Sequence, residues 1–202
     1  MRTLAVLILA SAYAVAQTPA SYHLLASQSR FTARLAKTGL LAALGDEHLI
    51  VAEGASGTVE ARPAPPQNPI PWRVQLILPA AQVVDSDPAA SNVKRNAITQ
   101  HLQSREQLDV RRYSTIELRG TATAGPDGTG KFEGALLLHG VSRPLRVPLA
   151  WIQAGPTLRV RGKMRLRFSD FGITPARVGL GTIRVKNEFE LEWDAVFQPD
   201  RR

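Results

Sequence analysis

Apolar and polar residues alternate along two late stretches of the chain, over residues 158–168 and again over residues 182–197. A period of two residues indicates β-strands that bury one face and expose the other. Arg and Lys occupy the polar positions of the first stretch, and Glu and Asp occupy most of those of the second. Antiparallel pairing of the two strands would therefore place opposite charges side by side.

The positions of these charges restrict how the two strands can pair. On the first strand the basic residues have odd numbers, and on the second the acidic residues have even numbers. In an antiparallel pair the numbers of facing residues add up to a constant, and this constant must be odd if basic residues are to face acidic ones. To within two residues, we expect a register that places Arg159, Arg161 and Lys163 opposite Glu192, Glu190 and Glu188. Much of the basic stripe then serves cross-strand pairing and is not a binding surface.

The same alternation predicts further strands, which are separated by turns rich in Gly and Pro. They cover residues 22–26, 30–37, 48–59, 72–78, 114–123, 131–138 and 143–152. Apolar residues recur at helical spacing from Ser91, a favoured N-cap type, to about Gln107. The apolar segment 39–45 is compatible with one helical turn closing a barrel end, and the proline-rich segment 61–71 is expected to be an irregular loop. This order predicts an all-β antiparallel barrel or sandwich with one short helix.

The first sixteen residues have the features of a cleaved secretory signal. Arg2 is followed by an apolar run over residues 4–12 and by the small-residue pattern 14–16, which predicts cleavage near Ala16. A membrane-spanning helix would need about 20 apolar residues, more than this run supplies. We therefore expect a single exported domain over residues 17–202, either periplasmic or secreted.

Charge and cysteine content exclude two classes of function. The chain has no cysteine, so disulfides and thiol chemistry are absent, and its formal net charge is +8. An exported protein whose basic residues alternate along strands is not expected to bind nucleic acid. Attraction to anionic lipid surfaces or to a phosphorylated lipid head suits the compartment better. A transient contact with a membrane surface and a homodimer both stay open.

Several motifs, taken in order, match one known family. The most specific are Leu136-Leu137-Leu138-His139-Gly140-Val141-Ser142-Arg143-Pro144 and Asp170-Phe171-Gly172-Ile173. Further matches are residues 39–41 with His48, Arg95 with Ile98, residues 108–113 with Ile116, and residues 181–186. Through these motifs the chain resembles the YceI-like family of exported, lipocalin-like, polyisoprenoid-binding proteins. Relatives often carry a second His before the one that matches His48, where this chain has Asp46 and Glu47.

The resemblance implies an eight-stranded antiparallel barrel with a helix near one end, which holds a long-chain isoprenoid or other lipid without catalysis or a cofactor. Elementary geometry leaves an alternative open, because an eight-stranded barrel is either filled by its own side chains or holds one small ligand. A filled barrel would act as a periplasmic interaction or stress-protective module.

The candidate ligand-binding residues are those expected to face inward or to line the barrel mouth. The apolar set is Phe31, Leu35, Trp72, Leu76, Ile98, Leu102, Ile116, Leu118, Leu136, Leu138, Leu166, Phe168, Phe171, Ile173, Phe189 and Leu191. Arg95 and Asn96 lie early in the predicted helix, where they would contact a polar head; the alternative for Arg95 is a pair with a nearby acid such as Asp85. Asn187 interrupts an apolar face, so we expect it to bond backbone at a bulge or a polar point on a ligand.

No catalytic or metal motif is present. No Ser lies in a nucleophile motif, and no His has the spacing of a metal site, so we predict a protein that is not an enzyme and needs no metal. The alternative is a metal site in which Asp46, Glu47 and His48 join His101 or His139. We expect His139 to bond backbone in its turn, His101 to be a partly buried packing residue, and Asp85, Asp87 and Asp109 to have turn or cap roles.

Overall fold

The computed structural model describes residues 20–38, 48–61, 70–178 and 183–200. Most of these residues form short and long β-strands, as the alternation predicts. In chain order the strands are Ala20–Leu24 (β1), Arg30–Leu35 (β2), Lys37–Thr38 (β3), His48–Ala52 (β4), Ser56–Ala61 (β5), Ile70–Pro79 (β6), Val83–Asp85 (β7), Thr115–Ala124 (β8), Thr129–Leu138 (β9), Val141–Ala154 (β10), Thr157–Arg167 (β11), Arg177–Val178 (β12), Ile183–Val185 (β13) and Glu188–Pro199 (β14). The predicted signal and segment 39–45, and most of the proline-rich loop, lie outside the described residues.

Strand pairing closes the main sheet into a barrel. The order runs from β1 through β5, β6, β8, β9, β10 and β11 to β14, and β14 pairs back with β1. β14 also pairs with β2, β2 with β4, and β4 with β7, so β1/β2, β4/β5 and β6/β7 each behave as one bent strand. The result is a closed eight-stranded antiparallel barrel, which confirms the predicted fold class.

Helix α1, Asn92–Gln103, lies at one end of this barrel, in the connection between β7 and β8. Its N-cap is Ser91, whose Oγ accepts a hydrogen bond from the Lys94 amide at 3.3 Å, as predicted. The helix ends before the predicted Gln107, because the chain turns at Ser104 and then adopts a positive φ of 44° at Asp109. None of the described residues forms a helix long and apolar enough to span a membrane.

The pairing of β11 with β14 differs from the predicted register. Arg159 lies opposite Val196, four positions beyond Glu192, and Lys163 lies opposite Glu192. The odd sum and the opposite-charge neighbours are confirmed, but the register is wrong by more than two residues. The predicted register would have placed Arg165 opposite Lys186, a like-charge pair, whereas the observed one places it opposite Glu190.

Inward-facing residues form two core clusters. The helix-side core includes Phe168, Phe171 and Phe189. The distal core includes Trp72 and Phe197, near the strand ends remote from α1. Residues of both clusters line an internal cavity.

Candidate functional site

The interior of the barrel contains an elongated cavity of about 200 Å³. It extends from Trp72 and Ala122 in the distal core to Val83 and Leu102 at the helix side. Nearly all of its lining is apolar, and its polar residues are Thr32 and Glu192. Such a space has no array of donors and acceptors with which to hold a sugar, a nucleotide or a peptide backbone.

The cavity is long and narrow. Ile116 and Ala122, which both line it, stand six residues apart on β8, or about 20 Å along the strand. With a strand tilt of about 40°, this corresponds to about 15 Å along the barrel axis. The volume exceeds the ~150 Å³ of an engineered apolar cavity that holds benzene. Spread over this length, it suits a single hydrocarbon chain better than a fused ring system.

Most of the predicted apolar residues line this cavity. They are Phe31, Leu35, Trp72, Leu76, Leu102, Ile116, Leu118, Leu136, Leu138, Phe168, Phe189 and Leu191. Leu166, Phe171 and Ile173 are buried in the helix-side core but do not line the cavity, and Ile98 is half-buried on α1. Contact of the lining residues with a ligand stays a prediction.

Other lining residues were missing from the predicted set. They include Val59, Phe132, Val147, Leu149, Val160, Met164, Trp193 and Ala195. The alternation of apolar and polar residues along their own strands identifies them, provided that it is traced to the strand ends remote from the helix.

Arg95 does not pair with Asp85, so that expectation is wrong. Its Nη1 donates to the carbonyls of Asp87 and Ala90 at 3.1 and 2.6 Å, and its Nη2 donates to the Asn92 side chain. The guanidinium therefore holds the turn that precedes α1. Asn96 is exposed, and neither residue lines the cavity.

Asn187 is exposed and does not interrupt a buried face, so that part of the prediction is wrong, whereas its expected bond to backbone is confirmed. The alternating stretch breaks at this residue into β13 and β14. The Asn187 Oδ1 accepts from the Ser169 amide at 3.0 Å, and its Nδ2 donates to the Ser169 hydroxyl at 2.9 Å. It thereby fastens the turn at Phe168–Phe171 to the start of β14.

A buried polar cluster lies at the helix side of the barrel, and the sequence did not link its members. His48 Nδ1 is 3.0 Å from Asp85 Oδ2 and 3.8 Å from Asp87 Oδ2. On β4, His48 lies two residues from Ile50 and on the same face of the strand. On β7, Asp85 lies two residues from Val83 and likewise shares its face. Ile50 and Val83 both line the cavity. Desolvation by burial lowers the pKa of His48, and this effect outweighs the opposing influence of the Asp85 carboxylate.

The two aspartates of this cluster also have the predicted turn roles. Asp85 Oδ1 accepts from the Asp87 amide at 2.9 Å, and Asp87 Oδ1 accepts from the Ala89 amide at 3.0 Å. The Asp85 amide in turn donates to Thr99 Oγ1 of α1 at 2.9 Å. These bonds order the chain between β7 and the helix.

The remaining histidines of the proposed metal site have other surroundings. His139 Nδ1 contacts the Phe171 carbonyl at 3.1 Å, so it bonds backbone as expected, but in the turn at Phe168–Phe171 and not in its own turn. Its ring packs edge-on against Tyr113. His101 is exposed, so its expected packing role is wrong. Within the described part of the chain, no group of three or more His, Asp or Glu side chains is arranged to hold a metal ion. Asp46 and Glu47 lie outside that part.

Comparisons with known proteins agree with this barrel. Solved structures that match include BcnA of Burkholderia cenocepacia, with 13% identity, a TM-score of 0.63, and coverage of 86% of this chain and 98% of that one. The YCEI protein of Campylobacter jejuni matches with 14% identity, a TM-score of 0.57, and coverage of 76% and 85%. No curated protein matches the sequence. A family model described as the YceI-like domain covers residues 24–197, which is most of the chain, so this protein belongs to the YceI-like family.

Proposed function

We propose that this protein is an exported lipid-binding protein that sequesters or transports one long-chain isoprenoid or a similar amphiphile inside its barrel, without catalysis. The observation that carries the proposal is the elongated apolar cavity, which runs through both core clusters. A barrel filled by its own side chains would have no such cavity. The YceI-like family, known for binding polyisoprenoids or lipids, supports the same ligand class.

The chemistry of the lining favours an unbranched or methyl-branched aliphatic chain. Each methylene transferred from water into an apolar site contributes about 0.8 kcal/mol, so a chain segment that fills the cavity gains several kcal/mol before the cost of immobilisation. A charged head group would lose its hydration inside such a lining without gaining partners. The charged or strongly polar part of an amphiphile therefore stays outside the cavity.

Export of the protein is part of the proposal and rests on residues 1–16, whose pattern is that of a cleaved secretory signal. An extracytoplasmic lipid carrier solves a definite physical problem, because a long isoprenoid chain crosses an aqueous compartment only when its surface is covered. The closed barrel provides that cover on all sides of the chain.

The proposal is tested by extracting lipid from protein purified without detergent from its native compartment and identifying it by mass spectrometry. We expect one class of long-chain lipid at close to one equivalent per protein. The delipidated protein should then take up a radiolabelled isoprenoid alcohol from phospholipid vesicles. If delipidated, folded protein acquires no chain from the vesicles and the native protein carries none, the proposal is wrong.

A further inference from the structure

We propose that the chain held in the barrel carries a neutral carbonyl or ether oxygen, and that Trp72 recognises it through its indole N–H. This inference rests on the proposed lipid-binding function and specifies its ligand class. Trp72 lines the cavity and only 4% of its surface is exposed. Its Nε1 is buried and has no hydrogen-bond partner among the residues that the structure describes.

Within the described part of the chain, the surroundings of Trp72 supply no acceptor for its indole N–H. Its cross-strand neighbour on β8 is Ala122, and the buried residues of the distal core are apolar. A water molecule would not resolve this, because a buried water needs two to four polar partners and an apolar cavity stays dry. The missing acceptor must therefore arrive with whatever fills the cavity.

Trp151 provides an internal comparison. Its ring packs edge-on against Trp72 with 5.3 Å between the ring centroids. Its own Nε1, however, donates to the Gly125 carbonyl at 3.1 Å. Two adjacent tryptophans of the same core thus differ in one respect: Trp151 donates to a backbone carbonyl, whereas Trp72 has no acceptor in the described ranges of the chain.

The single donor also restricts the chemistry of the oxygen. A carboxylate or phosphate would be buried as an uncompensated charge, and a hydroxyl would bring a donor that finds no acceptor among the apolar side chains of the distal core. A ketone, an aldehyde, an ester carbonyl or an ether has acceptors only, so one indole N–H matches it. Because Trp72 belongs to the distal core, this oxygen lies at the end of the cavity remote from α1.

A matched pair of probes tests the inference. Hexahydrofarnesylacetone and pristane have the same isoprenoid skeleton, except that the ketone oxygen of the first is replaced by a methyl group in the second. Delipidated protein is equilibrated with vesicles that contain both, re-isolated and extracted, and the ratio of the two probes is compared with the ratio in the vesicles. We expect about fivefold enrichment of the ketone by the wild-type protein, the gain of one buried hydrogen bond.

The variants identify the donor. Trp72→Phe keeps an aromatic ring and removes the N–H, so it should retain pristane while the enrichment of the ketone falls to about one. Trp151→Phe is the control and should enrich the ketone like the wild type, because the Trp151 N–H is already engaged. A further measurement uses the unmutated protein. The NMR resonance of the Trp72 indole N–H should move downfield when the ketone binds but not when pristane binds.

The outcomes separate this inference from the proposed function. If the wild type retains both probes equally, or if Trp72→Phe still enriches the ketone, the role of Trp72 is wrong and the lipid-binding function stands. If the resonance of Trp72 responds identically to both probes, the inference is likewise wrong. If the wild type retains neither probe, the proposed function fails and this inference fails with it.

Discussion

Gly162 of β11 lies directly opposite Trp193 of β14, and the indole ring occupies the space that a side chain at residue 162 would take. A Cβ placed on Gly162 would stand 2.2 Å from Cζ2 of the ring. Trp193 also lines the cavity, so this pair connects the register of the sheet with the shape of the interior.

We therefore expect Gly162→Ala to lower the free energy of unfolding by about 1–3 kcal/mol, the usual cost of overpacking. Urea denaturation measures this loss. Lys163→Ala, an exposed change next to it, should stay within about 0.5 kcal/mol of the wild type. In a Trp193→Leu background the cost of Gly162→Ala should shrink. An undiminished cost there would show that the indole ring is not its cause.

The closed eight-stranded barrel followed from the family resemblance, whereas alternation alone left a barrel or a sandwich open. The strands themselves could be predicted from that alternation. The register of β11 on β14 could not, since opposite charges face each other in more than one register. What distinguishes the registers is contact between particular side chains, above all Gly162 with Trp193 and the avoided pair of Arg165 with Lys186. These contacts depend on which residues the fold places opposite each other, so the pattern of either strand alone does not reveal them.

In the candidate site too, some residues could be predicted from the sequence and others could not. Strand alternation placed residues such as Leu118 and Leu136 on the cavity wall. Arg95 and Asn187 were misplaced because their partners are backbone groups of turns, whose path no periodicity specifies. The cluster of His48 with Asp85 depends on the lateral pairing of β4 with β7, two strands that are distant in sequence.

Asp194 should stabilise the outer face of the barrel more than its neighbouring acids do. Arg159 donates to both of its carboxylate oxygens at 2.6 Å, and Arg161 donates at 2.9 Å. The hydrogen bonds from Arg159 are the largest cause of the lowered pKa of Asp194. We expect Asp194→Asn to cost about 0.5–1 kcal/mol of unfolding free energy near neutral pH, a modest value because the pair is partly exposed.

The pH dependence of that cost has a definite sign. The folded pKa lies below the unfolded value, so the contribution of Asp194 is fully present above the unfolded value of about 3.9 and disappears as the pH falls through the folded value. Denaturation midpoints of the wild type and Asp194→Asn should therefore converge in strong acid. Glu190→Gln is the matched control, since its carboxylate has a 3.5 Å contact with an exposed Arg165, and it should change stability little. Equal losses in the two variants would contradict the special role of Asp194.

Filling the cavity should reduce lipid uptake without unfolding the barrel. Ala33 is half-buried and lines the cavity, so Ala33→Phe would place a ring where the chain lies. The loss of about 60 Å² of buried chain surface corresponds to about 1.5 kcal/mol, or about tenfold weaker retention of an isoprenoid probe. Retention is measured by equilibration with vesicles that contain the probe.

Ala150→Phe is the control for this experiment, because Ala150 is exposed on β10 and the same change there leaves the interior untouched. It should retain the probe like the wild type. Equal retention by Ala33→Phe and Ala150→Phe, both folded, would place the chain somewhere other than the cavity.

The buried His48 should make the protein less stable as the solution becomes mildly acidic. Burial lowers the pKa of His48 in the folded protein, whereas the unfolded chain titrates near the ordinary value of about 6.5. Between these two values the unfolded state binds a proton that the folded state does not, so the free energy of unfolding falls as the pH falls from about 6.5 towards the folded pKa. Below the folded pKa this residue contributes no further change.

The measurement is the urea midpoint at about pH 7.5 and at about pH 5.5, for the wild type and for His48→Gln. Glutamine keeps a hydrogen-bond donor beside Asp85 and Asp87 but does not titrate, so the variant should lose less stability over this interval. His101→Gln, at an exposed position of α1, should keep the wild-type dependence. If acidification instead stabilises the wild type relative to His48→Gln, the two carboxylates outweigh burial. His48 would then be charged in the folded barrel, with an ion pair at the helix side of the cavity.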